Sequence, residues 1–174
     1  MARSTAAPTG RERTFDQSEI IVSKTDLKGV ITYANDVFIR VSGFAEDELL
    51  GRPHSLIRHP DMPRCVFKLL WDRISSGHEI FAYVVNLAKN GDHYWVLAHV
   101  TPVYSGGTAV TGYHSSRRVP SRAAVTAATG LYAALRAEEA KHADRKAGME
   151  AGGALLQSIL REKGASYDEF VFSL

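Results

Sequence analysis

Ile80-Phe81-Ala82-Tyr83-Val84-Val85, then Lys89-Asn90-Gly91-Asp92, then Tyr94-Trp95-Val96-Leu97-Ala98-His99-Val100 form the stretch that decides the fold. Two runs rich in β-branched and aromatic residues flank an Asn-Gly turn. That is a hairpin signal, because the tight turn needs positive φ and Asn-Gly supplies it cheaply. Gly106-Gly107 then turns the chain into Ala109-Val110-Thr111-Gly112-Tyr113-His114, a third strand.

Upstream, Glu19-Ile20-Ile21-Val22-Ser23 and Val30-Ile31-Thr32-Tyr33 make another hairpin across Thr25-Asp26-Leu27-Lys28-Gly29. Asn35-Asp36 offers an N-cap for a short helix over Val37–Val41 that ends at Gly43. Glu46 to Gly51 reads as one more helical turn. Pro63 suits the first residue of a longer helix, in which Val66, Leu69, Leu70 and Ile74 recur near helical period. The order is two strands, short helices, one longer helix and three strands. It predicts an α+β domain in which a five-stranded antiparallel sheet carries its short helices on one face, with a hollow between them.

The chain has 174 residues, enough for one domain with an appendage. Three zones are expected: a flexible N-terminal arm over 1–17, the sheet domain over 18–119, and a helical extension over 120–174 used for signalling or dimerisation. The middle zone holds most of the aromatics and both tryptophans. In the extension, Val125, Ala128, Leu131, Tyr132 and Leu135 share one helical face, and Leu155, Leu156, Ile159 and Leu160 form a second stripe. Glu138 to Glu150 reads as a solvated linker. Ser166-Tyr167-Asp168-Glu169 is a capping-box pattern.

Charge and composition exclude several classes. With 21 basic against 19 acidic side chains, bulk charge does not point to nucleic acid. One cysteine rules out an internal disulfide and a Cys-based zinc site. No apolar run approaches the roughly 20 residues of a membrane span, and Met1 to Pro8 lacks the apolar core of a secretory signal. The chain is expected in the cytoplasm. No Ser/His/Asp constellation, phosphate-binding loop or HExxH motif appears, so no enzyme is predicted.

Four segments carry a family resemblance. They are Thr25-Asp26-Leu27-Lys28-Gly29-Val30-Ile31-Thr32-Tyr33-Ala34-Asn35-Asp36, Val41-Ser42-Gly43-Phe44, Arg58-His59-Pro60-Asp61-Met62-Pro63, and Lys89-Asn90-Gly91-Asp92-His93-Tyr94-Trp95-Val96. Residues 18–118 resemble a PAS sensor domain, and more closely the PAS domain of bacterial aerotaxis receptors. The last two segments are the more specific. The resemblance implies a sensory module that binds FAD and reports redox state or oxygen in chemotaxis-type signalling. A chemoreceptor or another signalling protein is the implied partner, and a homodimer is expected.

Within that resemblance Asn86 is the residue whose amide would donate to and accept from the flavin edge; the plain alternative is a solvent-facing strand residue. Arg58 is a candidate for a flavin phosphate or a stacked ring. Asp61 is expected to cap the helix at Pro63. His59 and His54 are candidate ligand contacts, as are His114 and the ring of Trp71; the plain alternatives are a loop-fixing role for His59 beside Pro60 and a core position for Trp71. Light-sensing flavin PAS domains carry a cysteine after Gly-Arg-Asn. Here Gly51-Arg52-Pro53 leads to His54, so photochemical adduct formation is not expected. Aerotaxis receptors also carry Trp-x-Gly where this chain has Ile80-Phe81-Ala82, and often basic residues at Leu87-Ala88. That departure favours a cofactor-free interaction module as one alternative. A haem gas sensor is the other, needing an axial histidine among the seven present.

Overall fold

Asn35 shows how this sequence starts its helices. In the computed structural model, which describes residues 6–174, its side chain accepts from Phe38 N at 3.0 Å and from Val22 N at 2.9 Å. One amide thus caps α1 (Asp36–Ser42) and ties it to β1 (Ile21–Thr25). The other elements are β2 (Ile31–Ala34), α2 (Glu46–Leu49), α3 (Arg64–Ser75), β3 (Ile80–Leu87), β4 (His93–Ser105) and β5 (Ala109–Arg118). A 3-10 turn spans His54–Ile57. Three helices follow: α4 (Arg122–Ala140), α5 (Arg145–Lys163) and α6 (Tyr167–Ser173).

The five strands form one antiparallel sheet in the order β2-β1-β5-β4-β3. Both expected hairpins are present, and β4 and β5 run longer than their apolar cores. The period-2 rule divides the residues between two faces. Val84, Asn86, Ala98, Val100, Tyr113 and Arg117 face inward towards α1–α3. Tyr83, Trp95 and Leu97 face outward.

The helical extension packs back on the domain. Ala124 and Ala128 of α4 lie on outward-facing Tyr83, with Trp95 and Leu97 beside them. The Tyr132 hydroxyl donates to Tyr83 O at 2.5 Å. The helix α6 covers the same edge strand through Phe170, Val171 and Phe172, whose ring meets Phe81. Both predicted apolar stripes are used in this way: Leu135, Leu156 and Leu160 are all buried.

Three local expectations are corrected. Residues 9–13 of the expected flexible arm run beside the β3–β4 hairpin, with Thr9 N donating to Gly91 O, His93 N to Arg11 O and Arg13 N to His93 O. Thr9 Oγ1 and the Arg13 guanidinium also reach the Asp92 carboxylate, which these partners hold well below the usual carboxylate range. Gly91 permits this approach, since a Cβ there would stand 2.2 Å from Ala7 O. The part of the arm over 1–5 lies outside the described residues. Second, Asp61 does not cap α3; its carboxylate pairs with Arg136 of α4. Third, the charged stretch from Glu138 is not all solvated. Glu139 is 3% exposed and accepts from Cys65 N at 2.8 Å, Arg64 N at 3.2 Å and Arg64 Nε at 3.1 Å.

A carboxylate from α4 thus satisfies the orphan N–H groups at the start of α3, where the helix dipole favours negative charge. Burial opposes the charge on Glu139, but the hydrogen bonds from Cys65 and Arg64 outweigh it and hold its carboxyl below its ordinary value. The helix α5 comes close enough to lock this contact. A Cβ at Gly148 would lie 2.4 Å from Glu139 O, and one at Gly152 would lie 2.9 Å from Glu139 Cγ.

Glu139→Ala is expected to cost about 2–3 kcal/mol in denaturant unfolding, as a lost cap plus an unpaired Arg64. Because the folded-state value is depressed, this stabilisation is complete above the ordinary carboxylate range. It is lost as pH falls through the lowered value. The difference between wild type and Glu139→Ala is expected to shrink below that point.

Candidate functional site

Between the inner sheet face and α3 lies a cavity of about 660 Å³. That is within the usual range of a small-molecule site. Leu70, Trp71 and Ile74 of α3 form one wall, and Val84, Ala98 and Val100 form the floor. Seven of the lining side chains are Lys or Arg and none is Asp or Glu. A chain with nearly balanced charge thus places a third of its 21 Lys and Arg residues around one hollow.

Asn86 lies on β3 and is 3% exposed. Its backbone bridges to Arg58, which brings the RHPDMP segment against the strand. The Asn86 Nδ2 atom has no hydrogen-bond partner among the described residues. A buried amide left this way costs on the order of 1–3 kcal/mol unless something fills it. Arg58 lines the cavity too, its guanidinium carbon 4.0 Å from the Phe67 ring centroid.

Arg117 is the deepest cation, 2% exposed. Its guanidinium carbon sits 4.4 Å from the Phe38 ring centroid, and Nη2 donates to Ser23 Oγ at 2.5 Å. The Nε and Nη1 atoms have no partner among the described residues. Burial lowers Arg117 to about 10, so it keeps its charge at neutral pH. His54 lies next to it, stacked on Phe38 and 3.2 Å from Ser23 Oγ through Nε2. Burial, and then the charge of Arg117, push the His54 ring down to about 3. It is a neutral imidazole across the physiological range.

The other expected site residues divide. Trp71 lines the cavity mouth but is 37% exposed, so it is neither core nor enclosed wall; its ring meets Tyr113 edge-on. His59 does not line the cavity. Its Nδ1 accepts from Asp61 N at 3.1 Å, and its ring sits against His93, which makes it a loop-fixing residue. His114 does not line the cavity either. It alternates with inward-facing Tyr113 and Ser115, so strand parity turns it to the other face. Cys65 is also absent from the lining, and burial together with Glu139 pushes its thiol up to about 12. The departures at Ile80-Phe81-Ala82 and Leu87-Ala88 lie outside the lining as well. Phe81 stacks on His99 on the outer face instead.

The segment order, the cupped sheet and the inward Asn86 agree with one known family: the PAS fold matches residues 11–114. The chain belongs to the PAS family. This PAS chain is 43% identical over 117 residues to the aerotaxis receptor of Escherichia coli (strain K12), which covers 67% of the chain and 23% of that protein. It is 27% identical over 103 residues to the nitrogen fixation regulatory protein of Klebsiella pneumoniae, covering 59% of the chain and 21% of that protein. The chain thus spans under a quarter of the length of these curated relatives. Among solved structures, the dark structure of the blue-light photoreceptor Aureochrome1 LOV is similar in fold. Its TM-score is 0.55 at 22% identity, over 67% of this chain and 83% of that one. No described helix is long and apolar enough to cross a membrane.

Sequence reasoning singled out Asn86, Arg58, His54 and Trp71, and all four line this PAS cavity. It missed Arg117 and Ser23. The signal was available in strand parity, since Arg117 shares its face with Tyr113 and Ser115. It also missed Arg145 and Lys146 of α5, which no local pattern assigns to a cavity whose other lining residues end at Arg117, apart from Met149 of the same helix.

The depressed His54 value has a consequence for stability. Between about 6.5 and about 3 the unfolded chain binds a proton that the folded ring refuses, so stability falls as pH drops through that window. His54→Gln is expected to flatten the slope there, measured as unfolding midpoints between pH 4 and pH 7.

Proposed function

We propose that this PAS chain holds flavin adenine dinucleotide in the cup and reports its redox state, or oxygen through it, to a signalling partner. The Asn86 amide carries the reading: a buried donor without a partner, facing a cavity of dinucleotide-compatible size and wholly cationic charged lining. The amide would meet the donors and acceptors along the edge of a flavin ring. The open Nε and Nη1 of Arg117 would face the same ligand and favour negative charge on it. Bound flavin supplies a ring whose charge and proton content change on reduction.

The chain's own residues then do three things. Asn86 and Arg117 orient the ligand and feel its change of charge. The apolar wall from α3 and the floor from β3 and β4 exclude water, which strengthens those contacts. The helix α3 passes a shift to α4 through Glu139, which grips its first turn. A sensory rather than catalytic role follows, with the extension as output and a chemoreceptor or related signalling protein, in the cytoplasm, as the receiver. A homodimer built through the extension belongs to the same proposal. Haem is disfavoured because only His54 of the seven histidines lines the cavity, and its Nε2 is already engaged by Ser23. A cofactor-free interaction module would leave Asn86 and Arg117 unsatisfied.

A visible spectrum of the purified protein tests this. The two-banded spectrum of oxidised flavin, bleached by dithionite, is expected, whereas a Soret band would replace the proposal with haem. Asn86→Ala is expected to cut flavin affinity by roughly tenfold while the far-UV spectrum and unfolding midpoint stay close to wild type. A protein that stays colourless after incubation with FAD would leave the interaction module as the better account.

A further inference from the structure

The seven cations of the cavity fall into two sets. Arg58 and Arg117 sit against the aromatic rings of Phe67 and Phe38. The other five, Lys28, Arg64, Lys68, Arg145 and Lys146, are exposed or half-exposed and come from three separate elements. Arg64 is committed to Glu139, and Lys68 pairs with Asp72 one helical turn on. Lys28, Arg145 and Lys146 have no ion-pair partner among the described residues. Asp144 lies beside Arg145, but its carboxylate caps α5 by accepting from Ala147 N. Like charges collected around one opening repel one another, so an anion there would relieve them.

Arg145, Lys146 and Met149 belong to the first turns of α5, and α5 is part of the extension, not of the segment matched as PAS fold. The same helix is held in place by the close approach of Gly148 and Gly152 to Glu139. One element of the extension thus completes the cavity mouth.

We propose that Arg145 and Lys146 are part of the dinucleotide site: with Lys28 they receive the pyrophosphate, so that docking of α5 and binding of the dinucleotide favour each other. The inference rests on the flavin reading and adds the phosphate subsite and its regulation. Linkage makes the effect reciprocal. Whatever pulls α5 away weakens the dinucleotide, and loss of the dinucleotide loosens α5.

The test uses the full chain, titrated with FAD, FMN, riboflavin and ADP by calorimetry. Hydrogen exchange is followed across residues 145–163. FAD is expected to bind more tightly than FMN, and FMN more tightly than riboflavin, with the difference shrinking at high salt. Arg145→Glu with Lys146→Glu is expected to lower FAD affinity roughly tenfold or more and riboflavin affinity little. Arg145→Gln with Lys146→Gln should give a smaller loss of the same sign, which guards against misfolding of the charge-reversed protein. Arg161→Glu, near the far end of the same helix, controls for bulk charge and should leave FAD affinity unchanged. Exchange in α5 is expected to slow with FAD and not with riboflavin. Riboflavin binding as tight as FAD, or equal losses for both in the double variants, would overturn this inference and leave the flavin reading standing. ADP binding as tightly as FAD would overturn the assignment to a flavin dinucleotide. No binding of any flavin to the wild type would overturn both readings.

Discussion

The contact on which the rest depends is the Glu139 carboxylate at the N-terminus of α3. The first N–H groups of a helix have no internal partner, and Pro63 at the N-cap offers no side-chain acceptor. Glu139 reaches across from α4 and takes two of them, together with the Arg64 guanidinium. In doing so it joins the wall of the cavity to the extension. Without it α3 would start uncapped, and the tie from α4 to the start of α3 would be lost. The glycines at 148 and 152 then let α5 close over the joint. A local capping requirement has become a long-range connection.

The second constraint is the buried cation Arg117. A charge in this setting ordinarily has a carboxylate partner, since desolvation of an unpaired ion is costly. Arg117 has a serine hydroxyl, an aromatic face and, among the described residues, no acid. Burial keeps His54 neutral, and Arg117 adds to it, because a second positive charge beside Arg117 would be repelled. Such an arrangement is poor as core packing and well suited to an anionic or electron-rich occupant.

Much of the architecture was legible. The Asn-Gly hairpin, the capping asparagine at 35, the Ser166–Glu169 box and the period of α3 are all local features, and each appears where the sequence put it. Within the site, Asn86 and Arg58 were readable through the resemblance, and His54 through its place after Gly51-Arg52-Pro53. Two histidines were misplaced for different reasons. His114 fell to strand parity, which depends on where pairing begins. His59 fell to a loop contact with His93 from another strand.

Local chemistry in the sequence therefore determined the elements, their order, the two-faced strands and the PAS cup, because caps, turns and periodicities act over a few residues. Only the tertiary structure decided what the extension does. A strongly charged, alanine-rich stretch carries no mark that tells a solvated linker from a clamp. Glu139 became buried because two helices and the start of a third converge on it, and Arg145 joined the cavity because α5 folds back over α3. Those outcomes depend on contacts between residues about 75 positions apart, and no local pattern encodes a contact of that range.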